Sequence, residues 1–134
     1  MNEKKDDKKD EKKYLNLNDL DAYKLSFHLS NYVWNKVILW KWLAQKTVGT
    51  QFITAADSIS ANIAEGFDRY FKKDKIKFYR YSQGSLKECF DWNEKSYRRG
   101  LLKEEEYQYI FDELEKIEPA LRRLIKFTND KLKF

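Results

Sequence analysis

The sequence predicts an all-α protein, an antiparallel up-and-down four-helix bundle that assembles with copies of itself, and three observations predict it. Apolar residues recur at spacings of three and four through four successive segments, the period of a helix that buries one face. One proline and four glycines in 134 residues leave too few turn signals for a β protein. Two of the segments carry a second apolar stripe, which a single core cannot cover and a sister copy can.

The elements follow in order. Residues 1–13, MNEKKDDKKDEKK, alternate six lysines with five acids and hold no apolar residue after Met1. Such a segment buries too little to offset its ordering entropy and is expected as a disordered charged tail, leaving residues 14–134 for the bundle. It has no apolar segment behind its charges to serve as a secretory signal, and no run in the chain approaches the ~20 apolar residues that cross a bilayer. Cys89 is the one cysteine, so no intrachain disulfide forms and a cytoplasmic setting is expected.

The first helix is expected to open at Asn18 as N-cap, with Asp19 and Asp21 where the helix dipole favours negative charge. Leu20, Tyr23, Phe27, Trp34, Val37 and Ile38 make one stripe. Leu25, Leu29, Tyr32, Val33, Lys36, Leu39, Trp40 and Leu43 make another, which takes this helix through Leu43. The second, roughly Thr47 to Tyr70, repeats Val48, Phe52, Ala55, Ile59, Ile63 and Phe67. Between them lie Ala56, Ser58, Ser60, Ala61 and Ala64, whose short side chains let a neighbouring backbone come close. A third helix is expected from Asp74 as N-cap, with Ile76, Tyr79, Gln83, Leu86, Phe90, Asn93 and Tyr97 on one stripe and Phe78, Ser82, Ser85, Cys89 and Trp92 on the other. Gly100, after Arg98 and Arg99, is its C-cap. Glu104, Glu105 and Glu106 open the fourth, which buries Tyr107, Ile110, Phe111, Leu114, Ile117, Leu121, Leu124, Ile125 and Thr128; Pro119 is expected to kink it.

The run QFITAADSISANIAEGFDR, followed by FYRYSQGSLKE and GLLKEEEY, resembles the four-helix-bundle proteins encoded in intervening sequences of bacterial 23S ribosomal RNA genes. The residues that carry the resemblance are Gln51, Ala55, Ala56, Ser58, Ile59, Asn62, Ile63, Ala64, Glu65, Gly66, Gly84, Ser85, Leu86 and Glu88. Two departures stand out: Ser60 where many relatives have proline, and Lys103 where they have a helix-capping serine. The resemblance implies a ring-like homo-oligomer, often a pentamer. It extends to the accessory proteins of diversity-generating retroelements, and through them implies nucleic acid and a reverse transcriptase, or another protein, as partners.

Charge is the functional signal the residues carry unaided. Residues 69–103 hold eleven Lys or Arg against four acids, a surplus of seven in a chain whose net charge is +5, so the rest of the chain is slightly acidic. Within that stretch Arg69, Lys72, Lys73, Lys75, Lys77 and Arg80 form the candidate nucleic-acid-binding set, for RNA or DNA with RNA favoured. Tyr70, Tyr79 and Tyr81 lie nearby to stack on unpaired bases where exposed. The bland alternative is that these lysines only keep an aromatic-rich bundle dispersed.

Asn62 and Glu65 share a helix face beside Ile59 and Ile63, and are expected as a half-buried structural polar pair, with Arg69 or Arg80 as partners for Glu65 that fix register. No second carboxylate or histidine sits at ligand spacing there, so neither catalysis nor a metal is expected. His28 is expected in the core or an interface, Cys89 as an inert small hydrophobe, and Trp34, Trp40, Trp42 and Trp92 as core and subunit anchors. Gly49, Gly66 and Gly84 make no phosphate loop. No cofactor and no reacting constellation is expected. The function expected is therefore a non-enzymatic oligomer that binds nucleic acid, with a ring-shaped protein–protein adaptor as the alternative.

Overall fold

Each of the four periodic segments becomes a long helix in the computed structural model, which describes residues 16–133. The charged tail expected at residues 1–13 lies outside the described residues. The helices are α1 (Asp21–Val37), α2 (Thr50–Asp68), α3 (Lys72–Arg98) and α4 (Glu104–Lys131), with no strand among the described residues. Each packs on its neighbours in chain order, and α4 closes the circle against α1. The Lys36–Glu106 pair, at 3.0 Å, joins the end of α1 to the start of α4. At the other end of the bundle Lys72 Nζ donates to the Asn129 carbonyl at 3.1 Å, so α3 and α4 run antiparallel.

The core stripe of each helix has the heptad spacing of a bundle. Ala22, Leu29, Val33 and Val37 of α1 meet Phe52, Ala55, Ala56, Ile59 and Ile63 of α2; Tyr79, Leu86 and Cys89 of α3 meet Ile110, Leu114, Ile117 and Leu121 of α4. The two stripes expected on α3 are one: its buried face alternates Tyr79, Leu86 and Asn93 from the first with Ser82 and Cys89 from the second. On α1 the core likewise takes Val37 from one stripe and Leu29 and Val33 from the other, and leaves Phe27, Trp34 and Ile38 exposed.

Several expected boundaries move. The start of α1 is Asp21, not the turn after Asn18, because Leu17–Asp19 forms a 3-10 turn in which the Asp19 carboxylate accepts the Asn16 amide at 2.8 Å. α1 stops at Val37 rather than Leu43. Gln45 Nε2 donates to the carbonyls of Val37 at 3.2 Å and Ile38 at 2.9 Å, satisfying acceptors that a helix end leaves open. A single turn Trp42–Ala44 and a π-helical stretch Gln45–Gly49 then lead straight into α2. Gly49 makes this packing feasible, since a Cβ there would lie 2.6 Å from Val37 Cγ1. α3 begins at Lys72 with Phe71 as cap, which places Asp74 in the first turn. It ends as expected: Gly100 has φ +73, its amide bonds the Tyr97 carbonyl, and the Leu101 amide bonds that of Ser96. α4 continues through Pro119 to Lys131.

The small residues of α2 do pack closely. Ser82 Oγ donates to the Ile59 carbonyl across the α2–α3 interface at 2.8 Å, and both residues are fully buried. At Gly66 the backbones are so near that an added Cβ would meet Tyr79 Cε1 at 2.8 Å and the Lys75 carbonyl at 2.9 Å.

Lys103 supplies no side-chain cap to α4, and Glu106 provides the other half of the arrangement by accepting the Lys103 amide at 2.8 Å. Burial works to raise the Glu106 pKa, but the Lys103 amide and the Lys36 ammonium prevail and hold the carboxyl below its usual range. A group whose pKa falls on folding gives stability that is complete above its unfolded value and disappears as pH drops through the folded one. Glu106→Gln is therefore expected to cost about 1 kcal/mol at neutral pH, and progressively less at an acid pH where the folded carboxyl takes up its proton. Urea unfolding at both pH values checks this; an equal cost at each would assign Glu106 a packing role instead.

Candidate nucleic-acid interface

The three-residue joint Arg69–Phe71 ends α2, and α3 then opens on Lys72 and Lys73. Amides at a helix N-terminus carry partial positive charge, so lysines in the first turn sit where the dipole disfavours them. Lys72 offsets this by tying α3 to the end of α4 through the Asn129 carbonyl, whereas Lys73 makes no such contact among the described residues.

The six cations singled out from sequence do not form one surface. Lys75 turns inward: its Nζ donates to the Phe67 carbonyl at 2.6 Å and lies 5.5 Å from the Phe67 ring centre. Burial, opposed in part by Asp68, lowers its ammonium pKa. Lys75 thus ties down the end of α2 and leaves the outward set. Arg69 pairs with Glu65 and lies over the Phe78 ring at 4.7 Å. Lys72 is held by the Asn129 carbonyl. Lys73, Lys77 and Arg80 are exposed and take part in no ion pair among the described residues. Lys87, further along α3, is likewise exposed.

The fold adds cations that the local charge run did not contain. A groove of about 510 Å³ between α3 and α4 is lined by Ile76, Arg80, Gln83, Arg122, Ile125, Lys126, Asn129 and Asp130. A second space of about 450 Å³, lined by Arg80, Gln83, Gly84, Leu86, Lys87, Glu118 and Arg122, continues it, because Arg80, Gln83 and Arg122 belong to both. Arg122 and Lys126 lie outside the stretch 69–103 and were missed. A signal for them exists in the hairpin: Arg80 and Arg122 are equidistant from Leu101 at the α3–α4 turn, so an antiparallel pair must set them side by side.

Of the three tyrosines, Tyr70 is 78% exposed and Tyr81 is 49% exposed, whereas Tyr79 is in the core. Burial pushes the Tyr79 phenol up to about 12. Tyr70 stands edge-on to Phe71, ring centres 5.0 Å apart, in the joint two residues before Lys72.

Other expectations need correction. Glu65 is exposed rather than half-buried, and of its two expected partners Arg69, the residue that follows α2, pairs with it while Arg80 does not. Asn62 Nδ2 donates to the Ser58 carbonyl at 2.9 Å, so this pair bonds within α2 and bridges to no other helix. The cause is rotational: both residues fall outside the buried arc that Ile59, Ile63 and Gly66 occupy. His28 is exposed, with Nε2 at 3.1 Å from the Tyr109 hydroxyl. Trp40 and Trp92 are half-buried against the core, as expected, whereas Trp34 and Trp42 are exposed. Cys89 is fully buried, as expected, and burial drives its thiol pKa strongly upward. Among the described residues no three His, Cys, Asp or Glu converge as a metal cluster, and no helix is long and apolar enough to cross a membrane.

Compared with known proteins, residues 18–123 match the family model described as 23S rRNA-intervening sequence protein. Among solved structures, the chain resembles the 1.70 Å crystal structure of a protein with unknown function from the S23 ribosomal protein family of Bacteroides thetaiotaomicron VPI-5482. The identity is 23% and the TM-score 0.69, over 78% of this chain and 95% of that one, a likeness of fold. Comparison with curated proteins yields no match.

Proposed function

The chain belongs to the 23S rRNA-intervening sequence protein family, and we propose that it acts as a non-enzymatic, cytoplasmic homo-oligomer, a pentamer by preference, that binds nucleic acid through the outer surface of α3, RNA ahead of DNA. The observation that carries this reading is the outward row Lys73, Lys77, Arg80 and Lys87, exposed and outside the ion pairs of the described residues. A solvated face that only disperses the protein has no reason to place Lys73 in the first turn of a helix, against its dipole. Phosphates bound there release their counterions, and the exposed rings of Tyr70 and Tyr81 offer stacking platforms for unpaired bases. Copies arranged in a ring multiply the effect through avidity.

Support for assembly comes from the apolar side chains left in water on α1 and after it: Phe27, Trp34, Ile38, Leu39, Trp42 and Leu43. The same surface favours the second reading, an adaptor that joins proteins, among which a reverse transcriptase is implied by the resemblance to retroelement accessory proteins. Light scattering at micromolar concentration tests assembly, and the mass of a single chain would rule it out.

Binding is tested by titrating a single-stranded RNA oligonucleotide across salt. Four phosphate contacts predict a log–log slope of about −3, or a loss of ~50-fold in affinity between 50 and 200 mM salt. Negligible affinity for RNA and DNA at 50 mM would discard the reading. Binding of a defined protein partner that survives nuclease and the reversal of Lys73, Lys77 and Arg80 would support the adaptor in its place.

A further inference from the structure

Three of the four glycines have a reason inside the chain. Gly49 and Gly66 sit where a Cβ would collide with a neighbouring element, and Gly100 has a positive φ. Gly84 has none. It lies in the interior of α3, it is exposed, its φ is not positive, and nothing stands within 4 Å of an added Cβ. A glycine in a helix interior is destabilising relative to alanine. Neither backbone conformation nor packing within this chain offsets that cost, so the missing side chain serves something that approaches from outside.

The surroundings of Gly84 identify the visitor by its chemistry. Arg80, Lys87 and Arg122 line the same space as Gly84, from both walls of the α3–α4 groove, and Lys126 follows at the next turn of α4. Lys126 and Asp130 pair with each other at 2.8 Å, which leaves Arg80, Lys87 and Arg122 against Glu118, the single carboxylate of the groove outside the ion pairs of the described residues. Arg80 donates to Gln83 Oε1 at 3.2 Å, which orients the Gln83 amide so that its NH2 group is available to an acceptor. The cations are strung along the groove and do not meet at a point: Arg80 and Lys87 are roughly 10 Å apart along the helix axis, more than one phosphate bridges. A chain of phosphates fits this spacing; an isolated one does not.

We infer that the groove between α3 and α4 is the track of one sugar–phosphate backbone of a single-stranded nucleic acid, with Gly84 as the point where that backbone passes closest to the helix. The inference rests on the nucleic-acid reading above and deepens it. Two packed helices leave only a furrow between them, so a single extended backbone lies along it whereas the much wider duplex rests on the outer ridges. The exposed Tyr70 ring, two residues before Lys72, offers a platform to a base from a strand that leaves the groove.

The test substitutes Gly84→Ala and, separately, Arg122→Gln, and measures binding of a 12-nucleotide single-stranded RNA and of the same sequence as a duplex at 50 mM salt, with Lys116→Gln as control. Gly84→Ala is expected to raise the melting temperature by about 3 °C and yet to weaken single-strand binding about tenfold. Arg122→Gln is expected to weaken it similarly and to reduce the salt slope by about 0.7. Duplex binding should be weaker than single-strand binding in the wild type and unchanged by Gly84→Ala, and the control should bind as wild type. Wild-type affinity in both groove variants would overturn the inference while leaving the reading of Lys73 and Lys77 intact. A change of mass by light scattering in Gly84→Ala, with affinity per chain unaltered, would assign Gly84 to a contact between copies and overturn it equally. Absence of any binding by the wild type would remove both.

Discussion

Reversal of Lys73, Lys77 and Arg80 to glutamate is expected to lower affinity for single-stranded RNA by about two to three orders of magnitude at low salt, because each change removes a phosphate contact and adds a repulsion. The fold should not suffer. All three side chains are exposed and free of ion pairs among the described residues, and the one hydrogen bond affected, from Arg80 to Gln83, lies at the surface. Lys73→Glu, in the first turn of α3, would even interact favourably with the helix dipole, by roughly 0.3–1 kcal/mol. Fluorescence anisotropy against the oligonucleotide and a thermal melt of the same sample separate the two effects. Loss of binding together with loss of the melt would show only that the variant does not fold; loss of binding with an equal or higher melting temperature is the expected result. Unchanged binding would remove α3 from the interface.

Gly66→Val is expected to remove more than about 3 kcal/mol of folding stability, a large share of the ~5–15 kcal/mol that a domain of this kind holds. The clash is with groups that cannot yield. Besides Tyr79 Cε1 at 2.8 Å, the new Cβ would meet the Lys75 carbonyl at 2.9 Å and Phe78 Cβ at 3.0 Å, two of them rigidly attached to the α3 backbone. Relief would need α3 to move off α2, which would open the contact around Ser82 and Ile59. Gly66→Ala should be destabilising by less, about 1–2 kcal/mol, because the helix propensity gained partly offsets the strain. Urea midpoints measure both. Gly66→Ala and Gly84→Ala thus make one chemical change in two helix interiors and are expected to shift stability in opposite directions; a stabilised Gly66→Ala would mean that α2 and α3 are not in backbone contact there.

The candidate site was legible where it depends on chain-local charge. The surplus in residues 69–103 marked α3, and the structure keeps Lys73, Lys77 and Arg80 on the outside. It was illegible where rotation about a helix axis decides. Lys75 lies between Lys73 and Lys77 in sequence, but a turn of about 100° per residue carries it inward to the Phe67 carbonyl. The same rotation hid Tyr79 in the core between exposed Arg80 and half-buried Phe78, and it exposed Glu65, whose motif suggested burial. Arg122 and Lys126 depend on α4 folding back along α3, a pairing that composition does not register.

By itself the sequence determined four helices, the core-facing stripes of α2 and α4 and the stop at Gly100, because periodic burial and a left-handed C-cap are properties of residues a few positions apart. Tertiary structure alone decided where α1 ends. Its apolar pattern continues unbroken past Val37 with neither glycine nor proline to stop it, and what halts the helix is Gln45 reaching back to the Val37 and Ile38 carbonyls while Gly49 packs on Val37. Tertiary structure also decided that the core of α1 draws on both of its apolar stripes, Val37 from one and Leu29 and Val33 from the other. A helix with apolar residues on both sides has no local preference, and only the neighbours that dock against it choose the face that leaves water and the face, carrying Phe27 and Trp34, that stays in it.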